Sequence, residues 1–174
     1  DRLPGLARLS EMVVGFSAKR TLPAWSLVPF HTNGITPAQG EGPEVVLWAD
    51  TFNTWFEPGN ARAAWAVLKA AGYRVHLAKP NGGGRPLCCG RTFLAAGLVD
   101  EARVEAKRTL DALMPMVERG VAVVGLEPSC LLTLRDEFKV LLPGEAADRL
   151  AENAVLFEEF IANELDNGRF NLEL

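Results

Sequence analysis

Val45-Val46-Leu47-Trp48-Ala49 is an unbroken apolar run that stops at Asp50. A short run with no polar alternation reads as a strand covered on both faces, as in a parallel sheet. Pro58 stands near the start of a helix in which Ala61, Ala64, Trp65, Leu68 and Ala71 recur at helical spacing, and Gly72 sits where a helix C-terminal glycine belongs. Tyr73-Arg74-Val75-His76-Leu77-Ala78 is a second strand. A glycine-rich loop, Asn81-Gly82-Gly83-Gly84-Arg85-Pro86, then leads into Leu87-Cys88-Cys89-Gly90 and a short helix through Ala96. Leu98 to Glu118 is a longer amphipathic helix ended by Gly120. Val121-Ala122-Val123-Val124-Gly125-Leu126 is a third buried strand, with Glu127-Pro128-Ser129-Cys130 at its exit and a helix behind it. Strand and helix alternating at these lengths is the βαβ pattern of an α/β fold with a mainly parallel sheet, whose crossovers are right-handed.

Outward from that centre, Asp148 to Leu165 reads as one final helix with Leu150, Val155, Leu156, Phe160 and Ile161 available for packing. Phe170-Asn171-Leu172-Glu173-Leu174 alternates like a strand. Residues 1–42 carry prolines, glycines and one apolar-periodic piece, Leu3 to Phe16, so they read as a linker with a short helix, and 43–174 as the domain. An opening Asp1 and a terminal strand with nothing after it are expected of a piece of a longer protein.

At 174 residues, about half of them apolar, the chain holds one core. A net charge of -4 with scattered Lys and Arg offers no basic field for a phosphate backbone, which argues against nucleic acid as a partner. No stretch reaches the roughly 18 apolar residues of a membrane helix, and no leader pattern is visible. Three cysteines, two of them adjacent, suit neither a disulfide framework nor an oxidising compartment, so the chain reads as cytoplasmic.

Ligands of open parallel sheets bind outside the carboxyl ends of the strands. Asp50, the pair Cys88-Cys89, Glu127 and Cys130 all fall there, far apart in sequence and expected to face one crevice. Cysteines at helix starts favour the thiolate, and thiolates bind soft metals and iron–sulfur clusters. Gly90 would let the backbone come close to such a group. On the residues alone the opposite reading stands beside it, with Cys88 and Cys89 as small buried hydrophobes in a tight turn.

The order of these segments resembles the CCG, or cysteine-rich, domain found in heterodisulfide reductase and in the iron–sulfur subunits of glycolate oxidase, anaerobic glycerol-3-phosphate dehydrogenase and lactate utilisation. That pattern runs Cys, spacer, Cys-Cys-Gly, spacer, Cys-x-x-Cys. Cys88-Cys89-Gly90 matches its middle and Cys130 its last cysteine. Glu127, with 36 residues between it and Gly90, takes the place of the first cysteine of the final pair, and Asp50, with 37 residues between it and Cys88, takes that of the opening one. Trp48-Ala49-Asp50-Thr51-Phe52-Asn53-Thr54-Trp55-Phe56-Glu57-Pro58 is similar to the family's context for that opening cysteine.

The resemblance covers residues 44 to 134, and it is closest to fused proteins that carry an FAD-linked oxidase domain, a ferredoxin-like domain and a CCG region. It implies a three-layer, Rossmann-like module, the first of a tandem pair, without dinucleotide signals. Its partners would be the ferredoxin-like and FAD domains of the same parent chain and a second CCG copy. It also implies an electron-transfer role in an FAD-linked 2-hydroxyacid dehydrogenase of the glycolate, D-lactate or D-2-hydroxyglutarate class, the chain itself not being catalytic and the FAD lying on a domain outside it. A 4Fe–4S cluster or zinc would bind at Cys88, Cys89 and Cys130 beside Gly90, with Glu127 and Asp50 as further ligands. Two rivals are a degenerate module that scaffolds redox domains and a thiol-based redox site.

Other features weigh less. The glycines at 82–84 lack any following GKS or GKT, so they read as a flexible active-site loop. His31 and His76 have no second histidine at ligand spacing. Trp48, Trp55 and Trp65 read as core, Arg91 as a surface ion pair or an anion contact, and Asp100, Glu101, Arg103, Glu105, Lys107 and Arg108 as the solvated side of a helix.

Overall fold

The computed structural model describes residues 5–15, 17–19, 21, 23–30, 41–170 and 172. Its elements are α1 (Leu6–Val14), β1 (Glu44–Trp48), α2 (Thr51–Trp55), α3 (Pro58–Ala70), β2 (Arg74–Leu77), α4 (Arg91–Ala95), α5 (Val99–Val117), β3 (Ala122–Gly125), α6 (Pro128–Arg135), α7 (Glu137–Leu141), α8 (Glu145–Asn153), β4 (Ala154–Leu156) and α9 (Phe157–Asp166). The four strands form one all-parallel sheet in the order β2-β1-β3-β4.

Register sorts the side chains into two cores. Val46 lies opposite Val123, and Val123 opposite Ala154; these residues pack with Trp48 against α5, α6, α7 and α8. Val45 lies opposite Val75, and Leu47 opposite Val124; these face α3 and α9, where Ala61, Ala64, Leu68 and Phe160 meet them. Helices on both faces make three layers, and β1 carries no polar residue between Val45 and Trp48 because neither of its faces meets water. The chain steps from β1 to β2 by way of α3 on one face. It then returns past β1 to β3 with α5 on the other, so the strand order reverses between β1 and β3.

Four local features differ from the sequence expectation. The single helix expected over Asp148–Leu165 is interrupted: α8 ends at Asn153, and Ala154–Leu156 leaves it to pair with the open edge of β3. Pairing buries Ala154 on one face and turns Val155 to the other, and a three-residue strand is too short to display a period of two. The Glu159 carboxylate then accepts the Leu156 N–H at 3.0 Å and restarts the helix as α9. Secondly, a short helix, α2, fills the stretch between Asp50 and Pro58. Thirdly, the helix behind Cys130 is two, α6 and α7. Finally, Glu105, read as part of a solvated face, is 1% exposed, because with Ala102, Ala106 and Thr109 it lies on the buried stripe of α5. The ends of the expected Leu3–Phe16 helix, His31, and residues 171, 173 and 174 of the expected terminal strand lie outside the described residues.

Pro115 inside α5 cannot donate to the Asp111 carbonyl, and the Asn81 side chain supplies that bond at 3.2 Å. At the opposite end of the sheet, the Tyr73 hydroxyl donates to Glu164 at 2.6 Å, and Arg169 donates to the same carboxylate. The Phe170 ring lies tilted against the Tyr73 ring, so the segment after α9 is tied to the residue that leads into β2. Arg169 holds the Glu164 carboxyl below its usual range. The contribution of this ion pair is therefore complete above the unfolded glutamate value of about 4.3 and is lost as the pH falls through the lowered folded value. Tyr73→Phe removes one buried hydrogen bond, and urea unfolding is expected to register a loss of about 1–2 kcal/mol with the fold retained.

Candidate functional site at the carboxyl edge of the sheet

β1 and β3 lie side by side with Trp48 opposite Gly125, so Asp50 and Glu127, each two residues further on, hold equivalent positions at the reversal of strand order. Both cap a helix. Asp50, 1% exposed, accepts the Phe52 N–H at 2.8 Å and the Asn53 N–H at 3.0 Å on one oxygen, and the Asn53 amide at 2.6 Å on the other. Glu127 accepts the Ser129 N–H at 3.4 Å and the Ser129 hydroxyl at 2.6 Å, with Pro128 at the first position of α6. Each carboxylate thus meets backbone donors that a helix start leaves unpaired.

The loop after β2 delivers the other residues. Gly90 has φ +82°, and a Cβ there would lie 2.9 Å from the Ala102 carbonyl oxygen of α5, so the turn passes too close to that helix for any side chain. The Thr109 hydroxyl donates to the Cys88 carbonyl at 2.8 Å, fixing the same turn from about two helical turns further along α5. The Gly90 N–H points to the Cys88 sulfur at 3.4 Å. Cys89 and Cys130 are buried, Cys88 is half-buried, and all three are free thiols. They line one cavity of about 300 Å³, closed by Phe52, Arg91 and Ser129. Sequence reasoning expected Asp50, Cys88, Cys89, Glu127 and Cys130 to meet at one edge. The three thiols share the cavity, while the two carboxylates are engaged in their caps.

Two of the thiols are held neutral. The Cys89 thiol is pushed up to about 11, first by its hydrogen bond with Cys130 and also by burial. Cys88 is raised further, by its bond with Cys89, by burial, and by the Glu105 charge nearby. Glu105 is the residue sequence reasoning missed: it sits between Arg108, at 2.7 Å, and Arg85 of the glycine loop, which also donates to it. The signal was its place three residues after Ala102 on the buried stripe of α5. Arg91, exposed, pairs with the half-buried Glu137 at 2.8 Å. His76 pairs with Glu44 at 3.0 Å on neighbouring strands, away from the thiols. Among the described residues, no group of three His, Cys, Asp or Glu is disposed to hold a metal ion, and no helix is long and apolar enough to cross a membrane.

Among the curated proteins similar to this chain are two whose names bear on its role. One of the subunits of the anaerobic glycerol-3-phosphate dehydrogenase of Escherichia coli K12 is 24% identical over 171 residues, which are 96% of this chain and 42% of that protein. The D-2-hydroxyglutarate dehydrogenase of Pseudomonas putida is 33% identical over 131 residues, 69% of this chain and 12% of that one. The chain therefore spans less than half the length of these relatives, and both are redox proteins. No protein-family model matches the chain, and no solved structure matches it.

Two outcomes follow from the geometry. Asp50→Ala and Glu127→Ala should each lower the unfolding free energy by about 0.5–2 kcal/mol, more for Asp50 with its three bonds, as read by urea titration. Alkylation of Cys89 in the folded chain should be slow at neutral pH and rise about tenfold per pH unit toward its raised value, while the unfolded chain reacts at the rate of an ordinary thiol.

Proposed function

We propose that the chain is a CCG-type module of a larger FAD-linked 2-hydroxyacid dehydrogenase, of the glycolate, D-lactate or D-2-hydroxyglutarate class. In this reading it serves the electron-transfer part of that protein as a structural partner and is not itself catalytic. Its neighbours in the parent are ferredoxin-like and FAD domains and a second CCG copy. It works in the cytoplasm, where its three thiols stay reduced. The similarity to two redox proteins supports the class, and the match to 12–42% of their lengths supports a module within a larger whole.

One observation carries the structural assignment: at the two positions where the resembling pattern has cysteine, Asp50 uses both carboxylate oxygens on its helix cap and Asn53, and Glu127 holds Ser129 with one of its oxygens. Cys88, Cys89 and Cys130 are left as three sulfur donors without a fourth thiol. A 4Fe–4S cluster held by the protein alone takes four ligands, and a structural zinc takes a closed tetrahedron. Among the described residues no three His, Cys, Asp or Glu side chains are disposed to hold a metal ion, so the residues present do not fit either group. Thiol chemistry is disfavoured as well, since upward-shifted thiols are poor nucleophiles.

A second reading is favoured by the convergence of three thiols from two separate loops on one cavity. In it, Cys88, Cys89 and Cys130 hold an iron–sulfur centre in the electron path of the parent. Iron and acid-labile sulfide analysis with EPR separates the two, applied to the anaerobically purified full-length parent and to its Cys88→Ala/Cys89→Ala/Cys130→Ala variant. The expected result is identical iron, sulfide and spectra in both proteins. A signal lost only in the variant would replace the structural reading with the second one.

A further inference from the structure

Of the acidic residues of α5, Asp100, Glu101, Glu105 and Asp111, only Glu105 is buried. Both of its oxygens are occupied. Arg85 donates to one and Arg108 to the other, the latter at 2.7 Å, and a second guanidinium nitrogen of Arg108 donates to the Arg85 backbone carbonyl at 2.9 Å. The three residues therefore close a ring in which Arg85, at the end of the glycine loop, is held by its side chain and by its backbone. The far end of that loop is fixed to the same helix by Asn81, which donates to the Asp111 carbonyl.

Glu105 also reaches the other end of the cysteine turn. A Cβ built on Gly90 would lie 3.4 Å from the Glu105 Cβ, so the stem of the glutamate packs on Gly90 while its head grips Arg85. Pro86, Leu87, Cys88 and Cys89 are what lies between those two points. Cys88 is the outermost of the three thiols in the cavity, half-buried where Cys89 and Cys130 are buried. Burial alone does not call for a carboxylate at 105. An apolar side chain of similar volume in place of a buried ion pair is often as stable, because the pair must first be desolvated. Such a residue would still pack on Gly90, but it would release Arg85. The charge is matched to holding the turn rather than to filling the core.

We propose that Glu105 is a positioning residue, a latch that through Arg85 and Arg108 keeps the Cys88-Cys89 turn shut on α5 and the Cys88 sulfur inside the cavity. The latch rests on neither reading of the thiols given above. It sets how far Cys88 is open to an incoming group, whichever of those readings holds.

The test is alkylation of the full chain by iodoacetamide at neutral pH, followed at each cysteine by tandem mass spectrometry. Position and charge act in opposite directions in Arg85→Ala. Without that cation the Glu105 charge near Cys88 is less compensated, which disfavours the Cys88 thiolate and slows its reaction. An unlatched turn exposes the sulfur and speeds it. The Arg85 side chain is 59% exposed, so its loss leaves no hole in the core. Arg85→Ala is expected to speed Cys88 alkylation about fivefold, the loss of one charge-assisted hydrogen bond read as local opening. Cys130, carried by α6, should change far less, and the urea midpoint should stay close to that of the unaltered chain. Arg85→Lys should restore most of the protection, and Glu105→Met should repeat the pattern of Arg85→Ala. A slower or unchanged Cys88 in folded Arg85→Ala would overturn the latch. Equal acceleration at all three cysteines with a lowered urea midpoint would make the ring a support of the whole fold and would overturn it as well.

Discussion

The parallel pairing of β1 on both of its edges is the constraint on which the rest of the structure depends. A strand bonded to β2 on one side and β3 on the other, and covered on both faces, has no freedom of register: a slip by one residue would exchange Val45 and Leu47 with Val46 and Trp48 between the two cores. Because crossovers keep one hand, α3 and α5 must lie on opposite faces, and the strand order must reverse between β1 and β3. The exits of those two strands then diverge and leave room at their carboxyl ends, where the cysteine cavity is found.

That geometry makes Asp50 and Glu127 equivalent, and it explains how one position can serve two chemistries. A residue that leaves a parallel strand and starts a helix faces unpaired backbone N–H groups and the positive end of the helix dipole. The same field that would stabilise a thiolate ligand stabilises a capping carboxylate. Exchanging one for the other preserves the turn and the helix while removing the soft donor. Burial and the neighbouring sulfur atoms keep the Cys88 and Cys89 thiols neutral beside these caps.

Much of this was legible in the sequence. Continuous apolar runs marked β1 and β3, Tyr73 to Ala78 read as β2, Pro58 and Gly72 bracketed α3, and spacing placed the cysteines at the strand ends. What escaped was either too short to carry a period or dependent on tertiary pairing. Five residues of α2 and three of β4 show no repeat, and Ala154–Leu156 becomes a strand only because β3 offers an open edge. Glu105 was misread because a charged residue on a helix is normally solvated, whereas here two arginines and the Gly90 turn enclose it. The functions of Asp50 and Glu127 as caps depend on where two oxygens point, which spacing does not reveal.

The account is tested most directly by anaerobic reconstitution with iron and sulfide, following the charge-transfer absorption and bound iron of the unaltered chain against Asp50→Cys/Glu127→Cys. If carboxylate capping is what leaves the thiols without a complete ligand set, only the double variant will take up a stable cluster. Equal and stable uptake by the unaltered chain would contradict it.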